Sequence, residues 1–404
     1  MTTFRQAAAG SGRSVCNVPA PGREAIAHSE ALTHRIIERI IENKGAIGFD
    51  QFMRMALYEP GLGYYSAGAR KFGRDGDFVT APEISPLFSR CIAVQCEEVL
   101  RSIGGGSLLE VGAGTGAMAA EMLRELEYRN CLPERYLILE ISADLKARQQ
   151  ELLTMSIPHL MGRIEWLAGL PPHGFHGVIV ANEVLDAQPV VRLGFEREGI
   201  FEYCVSRERD DFTWSKVTAG PEIISHAGRI RRQLDGAWPN GYTTEINLGL
   251  DAWVSTFAGI LEQGVILLVD YGYPRHEYYH WQRDQGTLLC HYRHRVHHDP
   301  FLYPGLQDIT TSVDFTAVAE AAIDAGLSLI GYTNQAYFLL SCDMEQIMNR
   351  LADMDQKHRM QLLAQIRMLT MPGEMGERFK LMVLGRKCPY QLRGFTLSDQ
   401  RGHL

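Results

Sequence analysis

The chain has 404 residues, enough for a large buried core arranged as one elaborated α/β domain or two domains. Its 40 Lys and Arg against 48 Asp and Glu leave a net charge of -8, which gives no general reason to expect nucleic acid or an anionic membrane as a partner. No apolar run approaches the roughly 20 residues that span a bilayer, and the eight cysteines contain no C-x-x-C pair, which suits a reducing compartment.

The N-terminal part of the chain is predicted to be helical after a flexible start. Residues 1–30 are rich in Ala, Ser and Gly, and their first acidic residue is Glu24, which is typical of a flexible tail. A transit-like leader is the alternative interpretation of this stretch. Residues 31–105 form a predicted helical N-terminal region, because apolar residues recur at helical spacing over three segments: 31–43, 49–57 and 85–103.

The rest of the chain alternates between apolar strands and helix-length segments. Runs such as Val178-Ile179-Val180 suit strands buried on both faces, which indicates an α/β fold with a mostly parallel, doubly wound, Rossmann-like sheet. The predicted strands are 107–111, 136–141, 163–167, 177–181 and 265–270, followed late in the chain by 327–332 and 379–384. We expect this domain over 106–390, with insertions at 190–246 and 271–312 after the fourth and fifth strands, and a C-terminal tail over 391–404.

The most informative segment is Ser107 to Gly116, in which an apolar strand is followed by three glycines and a helical run. This pattern is typical of a loop that binds an adenosine-containing cofactor, because glycine lets the cofactor approach the backbone closely. The spacing Gly112-x-Gly114-x-x-Ala117 also satisfies a dinucleotide fingerprint, so an NAD-type enzyme is an alternative. Glu110 favours S-adenosylmethionine, because a carboxylate before the first glycine attracts an ammonium and a sulfonium but repels a pyrophosphate.

Acidic and amide side chains follow several of the predicted strands. Glu140 follows the second strand, Asn182, Glu183 and Asp186 follow the fourth, and Asp270 ends the fifth. Ligands of doubly wound sheets bind outside the carboxyl ends of the strands, so these side chains are expected at one rim. Glu140 is placed to accept hydrogen bonds from ribose hydroxyls, a role that an NAD enzyme would also require.

Seven segments of this chain together resemble the MidA family of class I methyltransferases: GLGYY (61–65), GDFVTAPEISP (76–86), LEVGAGTG (109–116), ANEVLDA (181–187), VDYGY (269–273), QDIT (307–310) and VDF (313–315). The resemblance covers about residues 30 to 390. It implies S-adenosylmethionine as the cofactor and an arginine of a protein as the acceptor, with symmetric dimethylation of a respiratory complex I subunit in eukaryotic members. Cofactor contacts are predicted from eight residues: Thr80, Glu110, Gly112, Ala113, Gly114, Glu140, Ile141 and Asn182.

Three acidic residues are the predicted catalytic groups. A guanidinium is cationic and nearly impossible to deprotonate in water, so carboxylates must hold it and accept the proton released on transfer. Glu183 and Asp186 could form this clamp, with Asp77 as a third candidate. The chain has no Asn-Pro-Pro-Tyr motif after the fourth strand and no Cys after Pro there, which argues against amino-group or cytosine-ring methylation of bases.

Three other functions stay open from the sequence: a small-molecule methyltransferase, an NAD-dependent oxidoreductase and a non-catalytic S-adenosylmethionine-binding assembly factor. The segment 290–299 has four histidines and one cysteine, but no zinc spacing and interleaved arginines, so no metal is predicted and a polar loop over the substrate channel is expected. A homodimer is compatible with the sequence. The expected compartment is the bacterial cytoplasm, or the mitochondrial matrix if the protein is eukaryotic.

Overall fold

The structure is a computed structural model that describes residues 18–67, 80–234, 238–351, 356–389 and 391–404. The helices in these ranges are α1 Arg23–Glu42, α2 Phe49–Tyr58, α3 Ala81–Ile84, α4 Pro86–Ile103, α5 Ala117–Tyr128, α6 Ala143–Ser156, α7 Pro221–Arg232, α8 Leu250–Ile260, α9 Arg275–Tyr278, α10 Phe315–Asp324, α11 Gln335–Ser341, α12 Met344–Leu351, α13 Gln356–Thr370 and α14 Met375–Arg378. The strands are β1 Ala46–Gly48, β2 Ser107–Val111, β3 Tyr136–Leu139, β4 Ile164–Leu167, β5 Phe175–Asn182, β6 Val191–Glu196, β7 Gly199–Glu208, β8 Asp211–Thr218, β9 Tyr242–Ile246, β10 Leu261–Tyr273, β11 Leu289–Tyr292, β12 Arg295–His297, β13 Asp308–Thr310, β14 Val313–Asp314, β15 Ser328–Asn334 and β16 Phe379–Arg386.

The main sheet has eight strands, in the order β15-β16-β10-β5-β2-β3-β4 with β14 beside β10. Strands β4, β3, β2, β5 and β10 run parallel to one another, whereas β16 runs antiparallel to β10 and to β15. All seven strands predicted from the sequence belong to this sheet. The predicted mostly parallel, Rossmann-like α/β fold is therefore confirmed.

Alternate residues of the central strands face two separate hydrophobic clusters. Leu108, Val178 and Val265 pack with α4 and α5 on one face of the sheet. Their chain neighbours Leu109, Ile179 and Ile266 pack with α8 and α10 on the other. Successive side chains of a strand point to opposite faces, so strands covered on both sides must be apolar at every position. This requirement explains why these strands read as continuous apolar runs.

The long helix α4 is bounded by residues with strong local preferences. The hydroxyl of Ser85 accepts a hydrogen bond from the backbone amide of Leu87 at 3.3 Å, and Pro86 occupies the first helical position. At the other end Gly104 adopts a left-handed conformation with φ of 82°. These are the residue types that begin and end helices. The prediction assigned 85–103 to the N-terminal region, but α4 packs against the main sheet. Helical spacing in the sequence reveals an apolar helix face, but it does not reveal what that face packs against.

The N-terminal region differs from the prediction in two respects. Helix α1 begins at Arg23, inside the segment 1–30 that was predicted as a flexible tail. The short strand β1 lies between α1 and α2 and pairs antiparallel with β7, which comes about 160 residues later in the chain. A three-residue strand has no periodicity of its own that could be read from the sequence, so only the distant pairing defines it.

The two insertions contain small sheets of their own. The segment 190–246 contains β6 to β9 and α7, and its strands form a five-stranded sheet together with β1. The segment 271–312 contains the three-stranded sheet β12-β11-β13. Both insertions share a hydrophobic cluster with α1 and α2, in which Phe52 contacts the rings of Phe212 and Phe301. The N-terminal region and the insertions therefore share one core.

Residues 391–404, predicted as a C-terminal tail, pack against the main domain. Phe395 is buried, and its ring meets that of Phe338 at a centroid distance of 5.7 Å. The backbone amide of Gly394 donates to Oε1 of Gln95 at 2.8 Å. The segment lacks the helical or alternating pattern that would reveal burial, because it contributes single side chains to a surface formed by α4 and α11.

We predict that Phe395→Ala lowers the free energy of unfolding by about 3 kcal/mol, because it removes a buried ring and leaves a cavity against Phe338. Leu397→Ala is the matched control, since Leu397 lies in the same segment but is 60% exposed, and its effect should stay within about 0.5 kcal/mol. Urea unfolding followed by circular dichroism measures both. Equal stability of the two variants would show that residues 391–404 are not part of the core.

Candidate active site

A cleft lies at the carboxyl ends of β2, β3 and β5, where a doubly wound sheet binds its ligands. Its empty volume is about 1090 Å³, including the open solvent at its mouth. Ten of the predicted site residues line it: Thr80, Glu110, Gly112, Ala113, Gly114, Glu140, Ile141, Asn182, Glu183 and Asp186. Asp77 lies outside the described residues. The structure thus brings together residues that are more than 100 positions apart in the chain, and their individual roles stay predictions.

The glycine-rich loop between β2 and α5 forms one wall of the cleft. Gly112 and Gly114 both have positive φ values, of 68° and 53°, which disfavour residues with a side chain. A Cβ atom added at Gly114 would meet no described atom within 4 Å, so a longer side chain there would project into open space. The loop therefore leaves its backbone accessible to a bound molecule.

Glu110 is a buried carboxyl group at the end of β2. The hydroxyl of Tyr136 donates a hydrogen bond to its Oε2 at 2.7 Å. Burial raises the pKa of Glu110 to about 7, although the hydrogen bond from Tyr136 acts in the opposite direction. A cation bound nearby would favour the charged form of this carboxyl group. The position thus fits a ligand that carries an ammonium or a sulfonium group.

Glu140 is held in place by groups of the following helix. Its Oε1 accepts a hydrogen bond from the backbone amide of Ser142 at 2.9 Å, and its Oε2 accepts one from Nε2 of Gln149 at 3.0 Å. The exposed side chain of Ile141 lies beside it in the cleft lining. A fixed carboxylate next to an apolar side chain suits a ribose and its base. These features and the open glycine loop fit an adenosine-containing cofactor.

Glu183 directly follows β5 and has an unusual backbone conformation. Its φ is 52°, which is rare for a residue with a side chain, and its backbone amide donates to the carbonyl oxygen of Val269 at 2.9 Å. Burial and the charge of Asp186 raise the pKa of Glu183 to about 8, although hydrogen bonds from Asn182 and from the backbone of Ala81 favour its charged form. Strained backbone at a cleft often accompanies function.

Asp186 lies three residues further along the same loop. Its side chain is 5% exposed, and burial raises its pKa to about 6. The side chain of Tyr271 and the backbone of Ala187 lie close enough to favour its charged form, but its Oδ1 makes no full hydrogen bond with any described residue. Leaving a buried carboxylate oxygen without a partner is unfavourable, so the position is suited to a donor supplied by a ligand.

Asp270 lies behind this loop and is not part of the cleft lining, although the sequence placed it at the same rim. Its Oδ2 accepts hydrogen bonds from the backbone amides of Leu185 at 2.9 Å and Asp186 at 3.2 Å. Its Oδ1 accepts one from the backbone amide of the next residue, Tyr271, at 2.9 Å. Burial raises the pKa of Asp270 well above its usual value. Its contacts indicate that it supports the loop.

Sequence reasoning did not assign roles to Tyr58, Tyr65 and Asp308, which also line the cleft. The hydroxyl of Tyr65 lies 3.0 Å from each carboxylate oxygen of Asp308, and the hydroxyl of Tyr58 donates to the carbonyl oxygen of Ala187 at 2.9 Å. The two tyrosine rings stack at a centroid distance of 5.5 Å. The only sequence signal was that Tyr65 and Asp308 lie in segments that carry the family resemblance.

The segment 290–299 does not form the predicted loop over the substrate channel. It comprises the end of β11, a turn and β12, and none of its residues lines the cleft. Within the part of the chain that the structure describes, no group of three or more His, Cys, Asp or Glu residues is placed to hold a metal ion. None of the helices described there is long and apolar enough to cross a membrane.

Comparison with solved structures gives two similar crystal structures, both from Burkholderia thailandensis. One is a methyltransferase-like protein bound to S-adenosyl-homocysteine, with 41% identity and a TM-score of 0.91, covering 96% of this chain and all of its own. The other is a native crystal structure from the same superfamily, with 40% identity, a TM-score of 0.88 and the same coverage.

Curated relatives are more distant. The mitochondrial protein arginine methyltransferase NDUFAF7 homologue of Drosophila melanogaster is 27% identical over 374 residues, which cover 85% of this chain and 82% of the relative. The corresponding protein of Homo sapiens is 24% identical, with coverage of 85% and 81%.

A family model for S-adenosyl-L-methionine-dependent methyltransferases matches residues 91–333, more than half of the chain. The matched range contains β2, the glycine-rich loop, the loop with Glu183 and Asp186, and both insertions. The expected resemblance is confirmed: the chain belongs to the MidA-like family of S-adenosylmethionine-dependent methyltransferases.

Proposed function

We propose that this protein methylates an arginine side chain of a protein. The observation that carries the proposal is the pair Glu183 and Asp186, two adjacent carboxyl groups in the cleft whose pKa values are both raised by burial. The pKa of a carboxyl group rises where no opposite charge compensates its burial, so the pair favours a cationic ligand. The arginine methyltransferase names of the distant relatives support the same acceptor.

The cofactor side of the cleft is formed by the glycine-rich loop, Glu110 and Glu140. We assign the contacts of the amino-acid part of the cofactor to Gly114 and Glu110, and those of the ribose hydroxyls to Glu140. S-adenosylmethionine, when bound, supplies an electrophilic methyl group. The role of these residues is to hold the cofactor in one orientation and to exclude water, which together account for most of the rate of an in-line displacement.

The acceptor side is formed by Glu183 and Asp186, with Asp308 on the same cleft lining. A guanidinium presents five N–H donors in a plane, and two carboxylates can bind it through charge-assisted hydrogen bonds. Asp186 Oδ1, which makes no full hydrogen bond with the described residues, offers an acceptor position to a ligand. Glu183 accepts the proton that leaves the methylated nitrogen, because a general base acts best when its pKa lies near the working pH.

The finer features of this proposal rest on the resemblance and on the relatives. They are symmetric dimethylation, a respiratory complex I subunit as the acceptor, and the bacterial cytoplasm or the mitochondrial matrix as the compartment. The small-molecule methyltransferase and the non-catalytic assembly factor are the competing functions. Incubation with labelled S-adenosylmethionine and cell lysate, followed by mass spectrometry of labelled peptides, tests them: labelled arginine peptides support the proposal, whereas label in small molecules or no transfer contradicts it.

We predict that Gly114→Arg abolishes binding of S-adenosylmethionine, because the new side chain would occupy the space above the loop. Gly174→Arg is the matched control: Gly174 also has a positive φ, of 96°, and open space around it, but it does not line the cleft. Isothermal titration calorimetry should show micromolar-range binding to the parent and the control only. Normal binding to Gly114→Arg, or binding of NAD by the parent, would contradict the assigned cofactor side.

We predict that Glu183→Gln keeps the fold and the cofactor affinity but reduces methyl transfer by about 100-fold or more, because a charge-assisted contact and the proton acceptor are lost together. Glu151→Gln, at an exposed position of α6, is the control and should transfer at the parental rate. Transfer is measured with labelled cofactor on the peptide identified from lysate. Parental turnover of Glu183→Gln would remove Glu183 from the mechanism.

The raised pKa of Glu183 predicts a pH dependence. In the ligand-free protein Glu183 is protonated below a pH of about 8 and cannot pair with a guanidinium, so kcat/KM for the acceptor should rise with pH. The sulfonium of the bound cofactor favours the charged carboxylate, so the rise should level off at or below about pH 8. Glu183→Gln should lose this rise. The profile is measured from pH 6 to 9 with saturating cofactor, and an unchanged rise in the variant would assign the titration to another group.

A further inference from the structure

Gln149 joins two parts of the cofactor site that are distant in the sequence. It lies on α6 and is fully buried. Its Nε2 donates to the carbonyl oxygen of Gly114 at 3.0 Å and to Oε2 of Glu140 at 3.0 Å. The same amide group thus contacts the glycine-rich loop after β2 and the carboxylate after β3.

The oxygen atom of the Gln149 side-chain amide also has a hydrogen-bond partner. Oε1 of Gln149 accepts a hydrogen bond from Nε1 of Trp166 at 2.9 Å. Because an indole N–H can only donate, this bond fixes which end of the amide faces Trp166, and the NH₂ group must face the cleft. Both hydrogens of that NH₂ group then have an acceptor. The side chain therefore cannot rotate without losing three hydrogen bonds.

We propose that Gln149 is a positioning residue that couples the two ends of the S-adenosylmethionine site. Gly114 belongs to the loop assigned to the amino-acid part of the cofactor, and Glu140 is assigned to the ribose. Gln149 fixes the distance between them, so a ligand that spans both finds them already in place. Preorganisation of this kind raises the affinity for the spanning ligand more than for a ligand that reaches only one end.

The first turn of α6 also helps to hold Glu140 in place. Ser142 caps its first turn by accepting a hydrogen bond from Leu145 at 3.3 Å, and the backbone amide of the same Ser142 donates to Glu140. Glu140 is thus held from both sides, by Ser142 on Oε1 and by Gln149 on Oε2. The hydrogen bond from Gln149 is the one that also reaches the glycine-rich loop.

The test compares Gln149→Leu with Gln150→Leu, the same substitution at an exposed position of the same helix. Calorimetry measures the affinity for S-adenosyl-homocysteine and for methylthioadenosine, which lacks the amino-acid part. We expect Gln149→Leu to lose about 10-fold or more in affinity for S-adenosyl-homocysteine and clearly less for methylthioadenosine. Gln150→Leu should bind both as the parent does.

A second variant keeps the proposal testable if Gln149→Leu does not fold. Trp166→Phe removes the bond that orients the amide and keeps an aromatic ring against the core, although a smaller one. It should weaken binding of S-adenosyl-homocysteine by about 2- to 5-fold, and again weaken binding of methylthioadenosine less. Equal losses for both ligands would show a merely structural role. Parental affinity of either folded variant for S-adenosyl-homocysteine would also overturn the proposal.

Discussion

The loop that we propose as the acceptor side of the cleft depends on the buried carboxylate of Asp270. It binds the backbone amides of Leu185 and Asp186, which lie on a loop more than 80 residues earlier in the chain. The carbonyl oxygen of Val269, the preceding residue, binds the amide of Glu183. The end of β10 therefore fixes the backbone on both sides of the turn, and a turn fixed in this way can keep Glu183 in its strained, left-handed conformation.

The cleft also concentrates carboxyl groups in a buried region, where burial favours their neutral, protonated forms. Glu110, Glu183 and Asp186 have pKa values raised to about 7, 8 and 6, in each case chiefly by burial. Between pH 4.5 and about 8 the folded protein binds a proton on Glu183 that the unfolded chain has released, so this group lowers the free energy of unfolding as the pH rises. A bound cation would favour the charged carboxylate of Glu183 and so offset this loss of stability. The site therefore favours cationic ligands, while it lowers the free energy of unfolding of the ligand-free protein.

Local pattern was enough to predict the main sheet and to place the glycine-rich loop and Glu140 at the ends of its strands, where they line the cleft. Their contacts with the cofactor stay predictions. The centre of β5, from Val178 to Ala181, is apolar at every position because both faces are covered, and Gly112 and Gly114 adopt positive φ values that favour glycine. The acceptor side was only partly predictable. Glu183 and Asp186 follow a strand and could be placed, whereas Asp308 and the two tyrosines reach the cleft through contacts between distant segments, which no local pattern records.

This difference reflects how the two sides are built. The cofactor side comes from consecutive β–α units, in which each loop directly follows its strand. The tyrosines of the acceptor side come from the N-terminal region and Asp308 from the second insertion, and these segments share a core with the first insertion. Tyr58, Tyr65 and Asp308 thus belong to segments that pack around one core, whereas Ala113 of the glycine-rich loop packs in the core between α4 and the main sheet. We therefore expect substitutions in the core that the three segments share to affect the proposed acceptor side more than the glycine-rich loop.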